Sequence, residues 1–469
     1  MKPNRILFKL CLCSSFFLIF ITRTDLQASE KKAAQQTFPS GTTTLGKLAG
    51  TPPMGWNSYD AFGSSVTEEE FLSNAICVKE KLLPFGYDTV VVDFRWADPM
   101  AANYDPNGIG GPLETDAFGR LLPAHNRFPS AKDGRGFTAL ANKVHSMGLK
   151  FGIHVMRGIP RQSVTANTPI EGSSFKATDA ADTKSTCSWC SDMWGVDGSK
   201  QAGQDYYDSI FRLYASWGVD FLKVDDLSSP YHKREIEAIR RAIDRCGRPM
   251  VLSTSPGETP VEQSVHIASH ANMWRMAGDL WDKWSSLNHL FDLAGRWENV
   301  GGPGAWPDAD MIPFGKIAIR CVGKPRQSNF TRDEQRMMFS LLALMPSPLM
   351  LGMNLPENDE WTEELITNRE VLAINQDLLG KKGRRVRQDG TAEVWVRELQ
   401  GNRRAVGFFN RGAATAEVKV TQTEAGLSRK STARNLWTGQ EIHPVQDPLV
   451  QNVPPHGVIL LLFKPDSKH

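Results

Sequence analysis

Residues 204–247, QDYYDSIFRLYASWGVDFLKVDDLSSPYHKREIEAIRRAIDRCG, set a short apolar run between two amphipathic segments. The flanking segments repeat their apolar residues at helical spacing. In the second, Ile236, Ile239 and Ile243 share one face and Gly247 ends the run. The central run, residues 221–226, is too short for a buried helix and reads as a strand closed by two carboxylates. Helix, strand, helix is the repeat of a parallel sheet, because parallel neighbours need a crossover. Outward from this unit the same alternation recurs, with apolar runs at 54–59, 89–94, 150–156, 250–255, 272–277, 307–311 and 348–352. Eight such runs predict an α/β protein with a (β/α)8 TIM barrel over residues 51–379. Beyond it the pattern shifts to AEVWVREL, AVGFFN, AEVKV and HGVILLLF between Gly, Asn, Pro and charged residues, predicting a C-terminal antiparallel β-sandwich over 380–469.

The 469 residues are 41% hydrophobic and 23% charged, which excludes disordered and fibrous classes. A net charge of +2 provides no broad attraction for nucleic acid or an anionic membrane, so a neutral partner is expected. Residues 1–28 carry Lys2, Arg5 and Lys9 ahead of an apolar run at 10–21 and a polar exit. This is the order of a secretory signal peptide, and the run is too short to span a bilayer. Export to a periplasmic or extracellular location is expected, with no membrane span after its removal. Residues 29–50, polar and aperiodic, read as a flexible linker. Removal of the signal takes Cys11 and Cys13 and leaves Cys77, Cys187, Cys190, Cys246 and Cys321, too few for a disulfide scaffold. Cys187-Ser-Trp-Cys190 lacks a second pair at zinc spacing, and in an exported chain a local disulfide between the two is expected. No metal site is expected. Asp105-Pro-Asn-Gly reads as a turn, since Ile109 occupies what would be a calcium-ligand position.

In a barrel of this kind the reactive residues cluster where the strands end. In 221–226 the alternation puts Lys223 and Asp225 on one face and turns Val224 and Asp226 away. An ammonium beside a carboxylate keeps it ionised, as a glycosidic nucleophile must be, although a purely structural ion pair has the same pattern. The run 272–279 sets Arg275 four residues before Asp279, amid Trp274, Trp281 and Trp284. Apolar surroundings raise a carboxyl toward the range of a general acid, while the plainer reading makes Asp279 the cap of a helix starting at Leu280. Two carboxylates on different strands meet the needs of a glycosidase, and a separation of about 5 Å would imply retention. His154 ends the third run and suits a hydrogen bond to a sugar or a place in the core. No serine has the turn and partners of a hydrolase triad, and no Gly-rich phosphate loop follows a strand.

These motifs resemble glycoside hydrolase family 27, the α-galactosidases and α-N-acetylgalactosaminidases of the melibiase clan. TPPMGWNSYDAF, VVVDFRW, GLKFGIHVMRG, FLKVDD, WRMAGD, WPDADMI, MPSPLMLG and AINQDLLGK carry the resemblance from Thr51 to Gly380. It implies a barrel with a C-terminal sandwich, Asp225 as nucleophile, Asp279 as acid/base, and substrate contacts from Trp56, Asp93, Lys223, Arg275 and Asp310. It implies no cofactor and an α-galactoside oligosaccharide or glycan as substrate, released from the chain end with retained configuration. Departures bear on the sugar. The family's second strand usually ends in two Asp that bind the far hydroxyls, whereas Phe94 follows Asp93 here. His154 and Arg157 stand where the family has Tyr and a smaller or acidic group, and Ser255 stands where many members carry a Glu. A small residue at Ser255 is similar to the α-N-acetylgalactosaminidase pattern. The family's Cys after the nucleophile is absent, since Leu227 and Ser228 follow Asp226. The rival substrates are α-N-acetylgalactosaminides and β-L-arabinopyranosides, and the rival from another class is a catalytically silent sugar-binding protein.

Overall fold

The computed structural model describes residues 47–102, 112–428, 432–443 and 445–465. The signal peptide, all but the last four residues of the linker, and the turn expected at 105–108 lie outside the described residues.

The eight apolar runs form eight parallel strands: β1 (Met54–Asn57), β2 (Thr89–Val92), β3 (Lys150–Met156), β4 (Phe221–Asp225), β5 (Val251–Thr254), β6 (Met273–Arg275), β7 (Trp306–Asp308) and β8 (Leu349–Leu351). Their order is β7-β6-β5-β4-β3-β2-β1-β8, so β1 to β7 each lie beside their neighbours in sequence and β8 pairs with β1. The ring closes past the end of β7, where Ile312 bridges Leu351 in parallel. There Ile312 N donates to Met350 O at 2.8 Å and Gly352 N donates to Ile312 O at 3.1 Å. Helices fill the connections: α1 (Glu68–Cys77), α2 (Thr138–Ser146), α3 (Gln201–Trp217), α4 (Lys233–Arg245), α5 (Ser264–His270), α6 (Trp284–Arg296) and α7 (Arg332–Leu344), with α8 (Arg369–Asn375) after β8. Strands so enclosed are buried on both faces, which is why apolar residues occupy both faces of their sequences, with the buried polar side chains gathered toward the C-terminal ends. Val91, Phe221, Val251, Met273, Met311 and Met350 fill the lumen, and Ile236, Ile239 and Ile243 are the buried stripe of α4. Reciprocal capping boxes, Thr67 with Glu70 and Thr331 with Glu334, set the starts of α1 and α7.

The linker ends earlier than expected. Leu48 packs on the lumen cluster, and Ala49 O accepts Trp306 Nε1 at 2.8 Å and Gly304 N at 2.7 Å. Two apolar residues in a polar stretch find the open floor of the barrel to cover. Between β3 and α3 an insertion folds into a small sheet of Ile159–Pro160, Met193–Val196 and Ala181–Asp182.

The C-terminal part comprises β9 (Arg384–Asp389), β10 (Ala392–Leu399), β11 (Arg403–Asn410), β12 (Ala416–Val420), β13 (Thr432–Asn435), β14 (Glu441–Ile442), β15 (Leu449–Val453) and β16 (Gly457–Lys464). A sheet ordered β9-β10-β11-β16-β13-β14 and the pair β12-β15 enclose a core of Val394, Val406, Phe408, Val418, Leu449 and Phe463. On the outer face of β10, Arg397 is fully buried. Its guanidinium donates to Ala343 O at 2.7 Å on α7, to Ile374 O on α8, and to Lys381 O at 2.8 Å. Burial pulls its pKa down to about 9. Trp284 of α6 stacks on His456 with ring centroids 3.5 Å apart, a second tie between the two parts.

Truncating Arg397 leaves several buried carbonyls without a donor, so Arg397→Ala should destabilise the chain by roughly 3 kcal/mol. Scanning calorimetry should show a melting temperature lower by several degrees, and an unchanged melt would remove Arg397 from its place as the tie.

Candidate active site

Strand alternation decides which residues of β1 reach the mouth. Asn57 faces it, with Nδ2 donating to Asp93 Oδ2 at 2.6 Å. Trp56 faces the opposite way. It is fully buried, its ring lies 5.9 Å from Phe71 of α1, and its Nε1 donates to Met353 O at 2.7 Å. The expected substrate contact of Trp56 is therefore corrected to a packing role between barrel and helices. The aromatic this segment offers at the mouth is Tyr59, half-buried, with Lys223 Nζ 5.5 Å from its ring centre.

Lys223 and Asp225 do share the inner face of β4, and both are buried. Lys223 Nζ donates to Asp93 Oδ2 at 3.0 Å and Oδ1 at 3.3 Å, and lies 3.8 Å from Asp225 Oδ1. His154, paired with Lys223 across the β3–β4 register, brings Nε2 to 3.0 Å from Asp225 Oδ2, too bent for a good hydrogen bond but close enough to act on charge. Asp225 Oδ1 has no hydrogen-bond partner among the described residues. Burial alone would raise the Asp225 pKa, but Lys223, then His154 and Arg275, hold it well below the usual carboxylate range. Burial would lower Lys223, and Asp225, Asp93 and Asp310 reverse that. Asp226 turns away, as expected, and meets Arg157 Nε at 2.8 Å. Arg157 also reaches Glu235 at 2.7 Å, so it holds the strand end and does not enter the mouth.

Arg275 organises the opposite side. Its Nη1 lies 2.6 Å from Asp310 Oδ1 and donates to Ser255 Oγ at 3.1 Å, while Nη2 donates to Asp279 Oδ1 at 3.0 Å. The Asp279 side chain is 59% exposed, against 2% for Arg275. Two of the three tryptophans expected around Asp279 pack elsewhere: Trp274 is buried beside Trp297, and Trp284 stacks on His456. The helix-cap alternative also fails, because α6 begins at Trp284 and Leu280 N donates to Asp310 Oδ2 at 2.9 Å.

Sequence reading missed two further carboxyls. Asp308 accepts Asp310 N at 3.0 Å, and burial pushes its pKa up to about 6. Asp310 is pushed up to about 7 by burial, against Arg275 and with Asp279 and Asp308. Period-two spacing in WPDAD held the signal for Asp308. Asp60, just beyond β1, is buried, with Oδ2 unpartnered among the described residues, and its pKa is raised well above normal by burial and then Asp310. A Cβ at position 352 would come within 2.0 Å of Asp60 Oδ2, so Gly352 makes the room for this carboxyl.

The expected pairing of Cys187 with Cys190 is not formed, and both are free thiols. The Cys187 thiol bonds to Asp226 and the Cys190 thiol to Asp192. Trp189 between them stands 5.9 Å from Phe94, whose ring meets His154 at 5.3 Å. At the mouth the carboxylates pair with Lys223 and Arg275. The three-residue group at metal-ligand proximity among the described residues, Glu237, His266 and His270, lies elsewhere.

The profile described as Alpha galactosidase A matches residues 51–204 and 200–377, and the alpha galactosidase C-terminal beta sandwich domain matches 389–463. Alpha-galactosidase 2 of Arabidopsis thaliana is 30% identical, with 87% of this chain and 88% of that protein aligned. A β-L-arabinopyranosidase of glycoside hydrolase family 27 from Geobacillus stearothermophilus is 46% identical at a TM-score of 0.88, covering 91% of this chain and 100% of that one. A protein described as a putative α-N-acetylgalactosaminidase from Bacillus halodurans is 42% identical at a TM-score of 0.79, covering 88% and 97%. With a barrel whose strand ends hold the paired carboxylates and a sandwich behind it, this chain belongs to glycoside hydrolase family 27.

Proposed function

We propose that the protein is an exported, retaining, exo-acting α-galactosidase that works by double displacement. The observation that carries this is Asp225: ionised, buried, and with Oδ1 unpartnered beside Lys223. A buried anion left without a hydrogen bond is costly unless it has a bond to make. Attack on the anomeric carbon supplies that bond. Asp279, exposed at the rim and held by Arg275, is free to exchange protons with solvent. It protonates the departing glycosidic oxygen, then takes a proton from the water that releases the sugar from Asp225. Asp93, Lys223, Arg275, Asp310, Ser255 and His154 offer donors and acceptors around the ring. Export rests on residues 1–28, and a mature exported chain that keeps them would overturn that part.

A second reading, hydrolysis of β-L-arabinopyranosides, is favoured by Phe94. Its ring, against His154 and Trp189, makes an apolar wall where the family usually has a second Asp. β-L-Arabinopyranose has the ring stereochemistry of galactose without the hydroxymethyl group, so it needs nothing polar from such a wall. The 46% identity to a β-L-arabinopyranosidase supports the same reading.

Asp225→Ala should lose roughly 10⁴-fold in kcat on a nitrophenyl glycoside. Azide should restore turnover and give a glycosyl azide of inverted configuration; normal activity without azide sinks the assignment. A panel of nitrophenyl α-D-galactoside, α-N-acetylgalactosaminide and β-L-arabinopyranoside ranks the sugars by kcat/KM, with the α-galactoside expected first. Phe94→Asp should move the ratio of galactoside to arabinopyranoside by about tenfold toward galactoside, the scale of one polar contact. An unmoved ratio removes Phe94 from substrate choice.

The raised carboxyls also set a pH dependence. A group whose folded pKa is raised contributes stability below its unfolded pKa and loses it as pH climbs through the folded one. For Asp308, pushed up to about 6, the loss falls between about pH 4 and pH 6. Asp308→Asn should therefore flatten the fall of melting temperature across that window, and a slope equal to wild type would count against it.

A further inference from the structure

Outside the barrel mouth, α4 and α5 bring together a group that the glycosidase chemistry does not use. His266 and His270 are four residues apart on α5, hence on one helical face, and their rings stack with centroids 4.1 Å apart. α4 contributes Glu237, whose Oε1 is 3.2 Å from His266 Nε2. One ligand atom from each of the three lies within 4.8 Å of the others, and all three side chains are half-buried.

The hydrogen bonds around this group give each histidine an outer partner on the ring nitrogen that would not ligate. His270 Nδ1 lies 2.7 Å from His266 O, and a carbonyl can only accept, so that nitrogen carries the proton and Nε2 carries the lone pair. His266 Nε2 faces the Glu237 carboxylate, which can only accept, so in the unliganded chain that nitrogen carries the proton and Nδ1 accepts from the Tyr231 hydroxyl; a cation taken at Nε2 shifts the proton to Nδ1, which then donates to the Tyr231 oxygen. Holding one ring nitrogen so that the other presents a lone pair is the outer-shell arrangement that orients histidine ligands. Stacking of the two rings would explain their spacing alone. It would not explain why a carboxylate from the neighbouring helix stands with an oxygen within 4.8 Å of a ring nitrogen of each histidine.

We propose that Glu237, His266 and His270 form a binding site for a divalent transition cation, zinc by the chemistry of its donors. Two imidazoles and one carboxylate suit zinc, and three protein ligands leave a fourth position for water. Zn–N bonds of 2.0–2.1 Å require ligand atoms about 3.3 Å apart, so the three side chains would have to rotate toward one another to hold the ion. The ion would clamp α4, which follows the strand bearing Asp225, to α5 on the outer ring of helices.

The test is equilibrium dialysis and calorimetric titration of zinc into the untagged, EDTA-treated full chain. One zinc per chain and a raised melting temperature are expected, with magnesium producing neither. His270→Ala and Glu237→Gln should lose the binding, and Tyr231→Phe should keep the stoichiometry while weakening affinity by about tenfold. Cys187→Ser should bind as wild type, which separates this site from the free thiols. His270→Ala should keep wild-type glycosidase activity, showing that the chain still folds. Absence of zinc binding overturns the proposal, as does zinc held equally by the His270→Ala and Glu237→Gln chains.

Discussion

Lys223 stands where two buried carboxylates compete for one ammonium, 3.0 Å from Asp93 and 3.8 Å from Asp225. The mouth gathers Asp60, Asp93, Asp225, Asp279, Asp308 and Asp310 around two permanent cations, Lys223 and Arg275. Six carboxyls cannot all stay ionised in so little water, and position sorts them. Asp225, with Lys223, His154 and Arg275 all acting on it, keeps its charge. Asp60, Asp308 and Asp310, deeper or crowded by one another, shift toward their neutral forms. Asp225 thus keeps its charge beside carboxyls that are pushed toward their neutral forms.

The barrel supplies this arrangement through backbone geometry. Arg95, Asp226 and Asp310 adopt positive φ angles of 62°, 64° and 91° just past β2, β4 and β7. Left-handed backbone at a non-glycine residue costs of order 1–3 kcal/mol and persists only where the surroundings over-determine it. Here the closed ring does so, and each bend turns a charged side chain from the strand direction toward a partner. Asp226 goes to Arg157 and Asp310 goes to Arg275. Alternation and bend together explain why adjacent aspartates in β4 do unrelated things.

The legible part of the sequence was the part governed by short-range periodicity. Eight strands, the helices between them, and the choice of Asp225 over Asp226 follow from spacings of two and of three to four residues. β9 was not legible, since Arg384–Asp389 is a charged edge strand whose pairing comes from β10. Trp56 was misplaced because the motif resemblance was followed where alternation from Asn57 would have turned it outward. The surroundings of Asp279 were misjudged for a different reason. Tryptophans close in sequence were counted as close in space, yet Trp274 faces the helix layer and Trp284 reaches His456 of the sandwich. No local pattern marks a residue that leaves its own element to pack on another domain.

The apolar wall beside His154 follows the same logic at longer range. Phe94 lies between β2 and Arg95, and Arg95 donates through Nη2 to both oxygens of Asp192 at 3.0 Å. Asp192 belongs to the insertion after β3, as does Trp189, which stands against Phe94. The apolar wall is therefore built from one barrel residue and one inserted residue, held in register by a bidentate charge pair. The barrel's strand ends determine which carboxyl keeps its charge. The insertion supplies Trp189 to the apolar wall, so the charged cluster and half of that wall lie on different parts of the chain.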